Sequence, residues 1–173
     1  PYVFPKKDNG KYNEINQKEF LRIPRHPMAY WASEKLIQTF SLNSIDKYAK
    51  PSKGMMPGGD FLRFFWEVSN NCIEPNVRNH DESLISDKKW YPYFKGGTFR
   101  RWYGNRTYVV DYLHDGEHVR EGDRNPSIYF KDNINWSKIS SGLFSARKGE
   151  EGALYDDAAC QCYVFDNSNY NVI

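Results

Sequence analysis

Cysteine is scarce: the 173-residue chain has three, Cys72 alone and Cys160 and Cys162 one residue apart. An odd, small set is not the even framework that staples a secreted domain of this size, so a reducing, cytoplasmic setting is expected. Long apolar runs are missing too, and with them any segment able to span a bilayer as a helix. Charge of one sign is not in excess either. The formal net charge is +2, so a face that meets a polyanion has to arise from local segregation of charge. The glycine-rich strand–turn–helix that cradles a nucleotide cofactor is absent. So are a Gly-x-Ser-x-Gly elbow and a Cys/His nucleophile pair. No signal peptide is visible. The chain starts at Pro1 and closes on "YNVI", which reads as the opening of an apolar element. Both ends are therefore expected to continue into a longer protein.

Aromatic residues are plentiful. Hydrophobic content is a modest 39%, but aromatics make up 17%, and each buried ring removes a large apolar area from water. The length suits one domain of ordinary size with a real core. Residues 1–22 read as a polar strap or linker with Pro5 and Asn9-Gly10, and residues 23–173 as the domain proper. Tyr30, Trp31, Leu36, Ile37 and Phe40 recur near helical spacing behind Pro27, which predicts a helix over 27–40. "SLNSIDKYAKPS" (41–52) predicts a second short helix ending before Pro51. "KGMMPGGD" (53–60) reads as a tight loop, and "FLRFFWEV" (61–68) as a buried strand.

Alternation in "TFRRWY" (98–103), a "GNRT" turn and "YVVDYL" (108–113) predict a β-hairpin over 98–113. It would place Phe99, Tyr108 and Val110 in the core. "SIYF", "INWSKI", "LFSARK", "ALYDDA" and "CYVFD" follow as short β-like runs between turn residues. The expected class is α+β: a curved, largely antiparallel sheet with one or two packed helices.

Three short motifs invite chemistry that their surroundings argue against. "HDGEH" (114–118) has the spacing of a zinc-protease signature, but Asp115-Gly116 at its centre favours a turn over the helix that would put both imidazoles on one face. "CQC" (160–162) would be half a zinc site without a second half. "NPSIYF" (125–130) resembles an amino-methyltransferase Asn-Pro-Pro-aromatic loop only loosely, since Ser127 replaces the second proline and the ring is displaced. No catalytic residue, metal site or cofactor site is assigned. The stretch "WYPYFKGGTFRRWYGNRTYVVDY" (90–112) is different. Lys95, Arg100, Arg101 and Arg106 fall within twelve residues, with Asp111 only beyond them. Arginine forks suit phosphates and the guanine edge, while Gly96-Gly97 permits close backbone approach.

Five phrases, "IPRHPMAYWASEKLIQTF", "KGMMPGGDFLRFFWEV", "KWYPYFKGGTFRRWYGNRTYVVDY", "INWSKISSGLFSARK" and "GALYDDAACQCYVF", together resemble the C-terminal half of PglX-type adenine-specific DNA methyltransferases. Those are the modification enzymes of BREX phage-defence systems, with relatives among type II restriction-modification methyltransferases. The resemblance runs from about Ile23 to the end. It implies a target recognition domain that reads DNA while an upstream domain holds S-adenosylmethionine and the catalytic loop. The family pattern falls on Lys95, Gly96, Gly97, Phe99, Arg100, Trp102, Tyr103, Gly104 and Asn105. It also falls on Gly54, Gly58, Phe61, Arg63, Trp66 and Glu67, and on Trp136 and Ser137. The chain departs from it at Pro57, where Thr is usual, and in a shorter loop. That loop is accordingly expected to position DNA differently or to read another sequence.

On this reading the partners are double-stranded DNA, the upstream methyltransferase domain and other defence proteins, with no membrane. Lys53, Lys95, Arg101 and Arg106 are expected at phosphates or in a groove. Arg63 and Arg100 are expected at bases, and Trp102 over the duplex edge or in the core. The rival classes are a carbohydrate-binding module built on exposed rings, a small hydrolase using His114, Glu117 and His118, and a protein-interaction module. Salt-dependent DNA binding separates the first reading from bound sugar or bound zinc.

Overall fold

The structure is a computed structural model and describes residues 14–119 and 125–166. The Asn9-Gly10 turn, most of the 1–22 strap and the terminal "YNVI" therefore lie outside the described residues. The chain divides into two compact units, Pro1–Lys47 and Tyr48–Ile173.

The first unit is lightly built. A 3-10 turn, Gln17–Arg22, precedes helix α1, Glu34–Thr39. Arg22 ties them together through an ion pair to Glu34 at 2.8 Å. Ile23, Ala29 and Ile37 are its buried apolar residues, with Ala32 packed against them. The helix is much shorter than the 27–40 expected. Arg25 and His26 take left-handed backbone angles, and Ser33 caps α1 by accepting the N–H of Leu36 at 3.3 Å. A serine cap followed by Glu34 is a start signal that the spacing of the aromatic residues had overridden. Met28, Tyr30 and Trp31 are exposed rather than on a buried helix face. The second expected helix is only a 3-10 turn at Ile45–Lys47.

The second unit is α+β as expected; its described residues form eight strands in two four-stranded sheets where one curved sheet was expected. The strands are β1 (Ala49–Ser52), β2 (Leu62–Phe64), β3 (Trp90–Phe94), β4 (Tyr108–Asp111), β5 (Asn133–Ser137), β6 (Ala146–Lys148), β7 (Leu154–Tyr155) and β8 (Ala159–Val164). The first sheet has the order β1-β8-β5-β6 and is antiparallel throughout. Pro51 sits in β1, an edge strand, where its missing N–H interrupts no ladder between two neighbours. The second sheet has the order β2-β4-β3-β7, with β3 and β7 the parallel pair. Helix α2, His80–Ile85, belongs to this unit and is capped by Asn79. The main core joins Tyr91, Tyr93, Val110, Tyr112, Phe130 and Leu154 with their neighbours. Each such side chain contributes about 1.5–3 kcal/mol by leaving water.

Two strand expectations are corrected. "FLRFFWEV" is a strand only over Leu62–Phe64, because the Glu67 carboxylate accepts the Phe64 N–H at 2.7 Å and turns the chain. Phe65 and Trp66 then face solvent. The hairpin over 98–113 does not form. β4 pairs instead with β3, Trp90 opposite Asp111 and Tyr93 opposite Tyr108, leaving 95–107 as a long loop. Positive φ at Gly96, Gly97, Trp102, Gly104 and Asn105 rules out a strand there. Val110 is buried and Tyr108 packs on the core as expected, but Phe99 is 42% exposed. Replacing Phe99 by Ala should therefore change unfolding free energy by less than about 1 kcal/mol, measured by denaturant titration. A loss of core size, about 3–5 kcal/mol, would show the ring to be buried.

Candidate nucleic-acid interface

β1 and β5 both pair antiparallel with β8, so they run the same way; β2 and β3 both pair antiparallel with β4. The loops that leave β1, β3 and β5 meet at the turn 156–158, which follows β7. Met55 donates its N–H to the Tyr155 carbonyl at 2.7 Å, and Asp157 donates to the Met55 carbonyl at 2.9 Å. Lys138 donates its N–H to the Ala158 carbonyl at 3.0 Å. The Ser137 hydroxyl donates to the Gly97 carbonyl at 3.0 Å, and Trp102 forms a backbone bridge with Arg147.

Two glycines make this junction possible. A Cβ on Gly54 would lie 2.2 Å from the Tyr155 carbonyl oxygen, and one on Gly96 would lie 2.6 Å from that of Ala158. The close approach that Gly96 permits is thus to this chain's own backbone. Buried Asp156 locks the turn by accepting the Tyr93 hydroxyl at 2.9 Å and the Ala158 N–H at 2.8 Å. Burial, with the Asp156 charge beside it, pushes the Tyr93 hydroxyl far above its usual pKa, so it stays a donor.

On this frame the cations divide into two groups. Lys53, Lys95, Arg100 and Arg101 are exposed, and none makes an ion pair with a described residue. The Lys95 ammonium stands 5.6 Å from the Tyr108 ring centroid. Tyr108 stacks on Phe64 at 4.9 Å, and Phe64 on Trp66 at 4.6 Å, a row of rings beside the cation. The Arg100 stem lies along Gly104, where an added Cβ would come within 3.0 Å of its Cγ. Arg101 lines a cavity of about 320 Å³ with Phe99, Trp102, Leu143 and Phe144.

Arg63 and Arg106 are engaged with the protein. Arg63 donates to the carbonyls of Leu62 at 2.6 Å and Asp60 at 3.1 Å. Its guanidinium is directed towards Trp90 at the start of β3, the end away from Lys95. Arg106 pairs with Glu150, donates to the Tyr103 hydroxyl, and stacks over the Tyr103 ring at 4.1 Å. Burial lowers its pKa, partly offset by Tyr103 and Tyr155. The structure therefore gathers Lys53, Lys95, Gly96, Gly97, Arg100, Arg101 and Trp102 at one end, holds Arg106 on Glu150 and Tyr103 and leaves Arg63 apart.

Several residues that share this end are not singled out by apolar patterning or charge. Phe65 and Trp66 fall in a run that reads as strand core. Leu143 and Phe144, 71% and 73% exposed, read as the start of a β-like run. The Ser140-Ser141-Gly142 triplet before them is a loop signal that could have exposed them. Lys138 joins the face as well, paired with Asp157.

The tempting metal motifs resolve into ordinary structure. His114 and Asp115 have left-handed backbone angles, so "HDGEH" is a turn after β4 rather than a helical face; residues 120–124, where a hairpin would return, lie outside the described residues. His118 stacks on Phe61 at 4.2 Å. Asp115 accepts from Tyr112 at 2.8 Å and lies 2.6 Å from His80. Cys160 and Cys162 are on β8. Among the described residues no cluster of three or more His, Cys, Asp or Glu could hold a metal ion.

What the second unit builds is an α+β platform that presents, among exposed rings, cations with no ion pair to a described residue. No family model matches the chain. It is 34% identical over 167 residues to the adenine-specific methyltransferase PglX of Lacticaseibacillus casei (strain Zhang), covering 88% of this chain and 14% of that protein. It is 31% identical over 182 aligned positions to the adenine-specific methyltransferase BrxX of Escherichia coli O9:H4 (strain HS), covering 96% and 14% respectively. The chain thus spans about 14% of the length of these curated relatives. In sequence it corresponds to a small piece of adenine-specific methyltransferases of the PglX type.

Proposed function

We propose that this chain is the DNA-reading part of an adenine-specific methyltransferase of a BREX or restriction-modification system. The observation that carries the reading is the set Lys53, Lys95, Arg100 and Arg101, exposed on the loop end with no carboxylate partner among the described residues, in a chain whose relatives are named adenine-specific methyltransferases. Phosphate contacts set register and base contacts specify. Lys53, Lys95 and Arg101 take the phosphates, while Arg100, its stem braced on Gly104, is the base reader. Trp102 lies against the duplex, and Gly96 and Gly97, packed on Ala158 and Asn105, shape the loop that carries it. Arg106 reaches a phosphate only on leaving Glu150. Arg63 acts at the flank, through donors not already used on Asp60 and Leu62.

S-adenosylmethionine belongs to the parent enzyme. The glycine-rich stretch 54–59 leads into a three-residue 3-10 turn, Gly59–Phe61, rather than a helix. It therefore offers no strand–turn–helix cradle for that cofactor. The chain's contribution to methyl transfer is to hold the duplex in register while the parent's catalytic domain handles the flipped adenine. The setting is cytoplasmic and defence-associated proteins are further partners. A sugar-binding reading is not favoured, since both relatives are named as methyltransferases.

The test is a genome-wide methylation profile of the complete protein with Arg100→Ala. Site choice should relax at one base pair, by about 1–3 kcal/mol of discrimination, if the guanidinium forks a base. An unchanged profile would remove Arg100 from that role.

A further inference from the structure

Resting on that reading, we infer that Trp102 and Phe144 form an apolar wedge that enters the DNA base stack. The wedge opens a step of the duplex, and the surrounding cations hold the phosphates on either side. Trp102 is 78% exposed, Phe144 73%, and neighbouring Leu143 71%. These three side chains line the same cavity as Arg101. Large exposed apolar side chains from two loops gathered around one cavity are costly in water and need an occupant. The occupant with matching charge is a polyanion, because Arg100 and Arg101 adjoin Trp102 in the chain and make no ion pair with a described residue.

The backbone gives independent support. Trp102 has φ = 56°, a left-handed conformation that costs a bulky residue about 1–2 kcal/mol. Strain of this kind persists where surrounding structure enforces it. Here the backbone bridge to Arg147 enforces it. Arg147 is itself buried on β6, donating to Asn135 at 3.2 Å and Ser137 at 3.4 Å. The Trp102 backbone is thus anchored to β6 while its ring stays exposed. Side chains that separate base steps in other architectures are apolar, flanked by cations, and offset a few kcal/mol of unstacking by the contacts the kink allows. A wedge adjoining the recognition loop would also lower the cost of turning a base out of the duplex.

The experiment uses the complete protein and two duplexes carrying its methylated sequence, one fully matched and one with a single mismatched step beside the site. A wedge binds the mismatched duplex more tightly, about tenfold or more, because unstacking has already been met. Trp102→Asn, chosen because Asn tolerates the left-handed backbone, and Phe144→Ala should each erase that preference. Both should leave the salt dependence of binding unchanged. Equal binding of the two duplexes by the wild type, or a preference that survives both variants, would overturn the wedge while leaving the DNA-reading role intact. A drop in thermal stability of both variants without DNA would assign the tip to a protein contact and equally overturn it. If the wild type binds neither duplex, the DNA-reading role itself fails, and the wedge with it.

Discussion

Converting Lys95, Arg100 and Arg101 together to alanine should weaken duplex binding by the complete protein on the order of a hundredfold or more at low salt. The three side chains are exposed, and no carboxylate of a described residue competes for them. Removing one cation from a phosphate should flatten the slope of log affinity against log salt by about 0.9, so two phosphate partners and one base partner imply a change near two. Stability should hardly move, because none of the three is buried. Arg106→Ala is the instructive contrast. Its guanidinium covers the Tyr103 and Phe94 rings and neutralises Glu150, so the main consequence is loss of stability. Fluorescence anisotropy across a salt series, alongside thermal unfolding, separates the two outcomes. A triple variant with unchanged affinity and slope would show that this face does not meet DNA.

Gly54→Ala should lower unfolding free energy by about 3 kcal/mol, a large fraction of the stability of a domain this size. The added methyl would meet the backbone carbonyls of Tyr155 at 2.2 Å and Asp156 at 2.3 Å. Neither oxygen can retreat, because Met55 and Tyr155 are hydrogen-bonded across the same gap and the Asp156 side chain is fixed by Tyr93. The loop that carries Lys53 would lift off its seat, so DNA binding should weaken along with stability. Gly59→Ala is the control. Its Cβ would meet nothing within 4 Å, and restricting the unfolded chain there is neutral or stabilises by up to about 1 kcal/mol. Chemical denaturation of both variants checks the pair; equal effects would mean that the junction at residues 54–55 and 155–157 is not close-packed.

Much of the second unit was legible from alternation and turn chemistry. "INWSKI", "ALYDDA" and "CYVFD" each contain or overlap a strand, as does the end of "LFSARK", while "SIYF" does not: Pro126 opens a 3-10 turn over Pro126–Ile128 instead. The 95–107 loop was not legible as a loop. "TFRRWY" alternates well enough for a strand, and the features that decide against it are left-handed angles at Trp102 and Asn105, set by tertiary contacts. α1 was misjudged for a different reason: exposed Tyr30 and Trp31 mimicked a buried stripe while the Ser33 cap marked the true start.

At the candidate site, local charge clustering singled out Lys95, Arg100 and Arg101. It could not tell that Arg106 would turn to Glu150, a residue forty-four positions along the chain. Nor could it place Phe144 beside Trp102, since that proximity depends on β6 seating against β5 and bridging to the loop.

Hydrogen–deuterium exchange of the complete protein, with and without duplex DNA carrying its methylated sequence, tests the central claim most directly. Binding should slow exchange across residues 95–104 and 138–145 and leave α2, His80–Ile85, unchanged. Slowed exchange elsewhere with both of those loops unaffected would contradict the account.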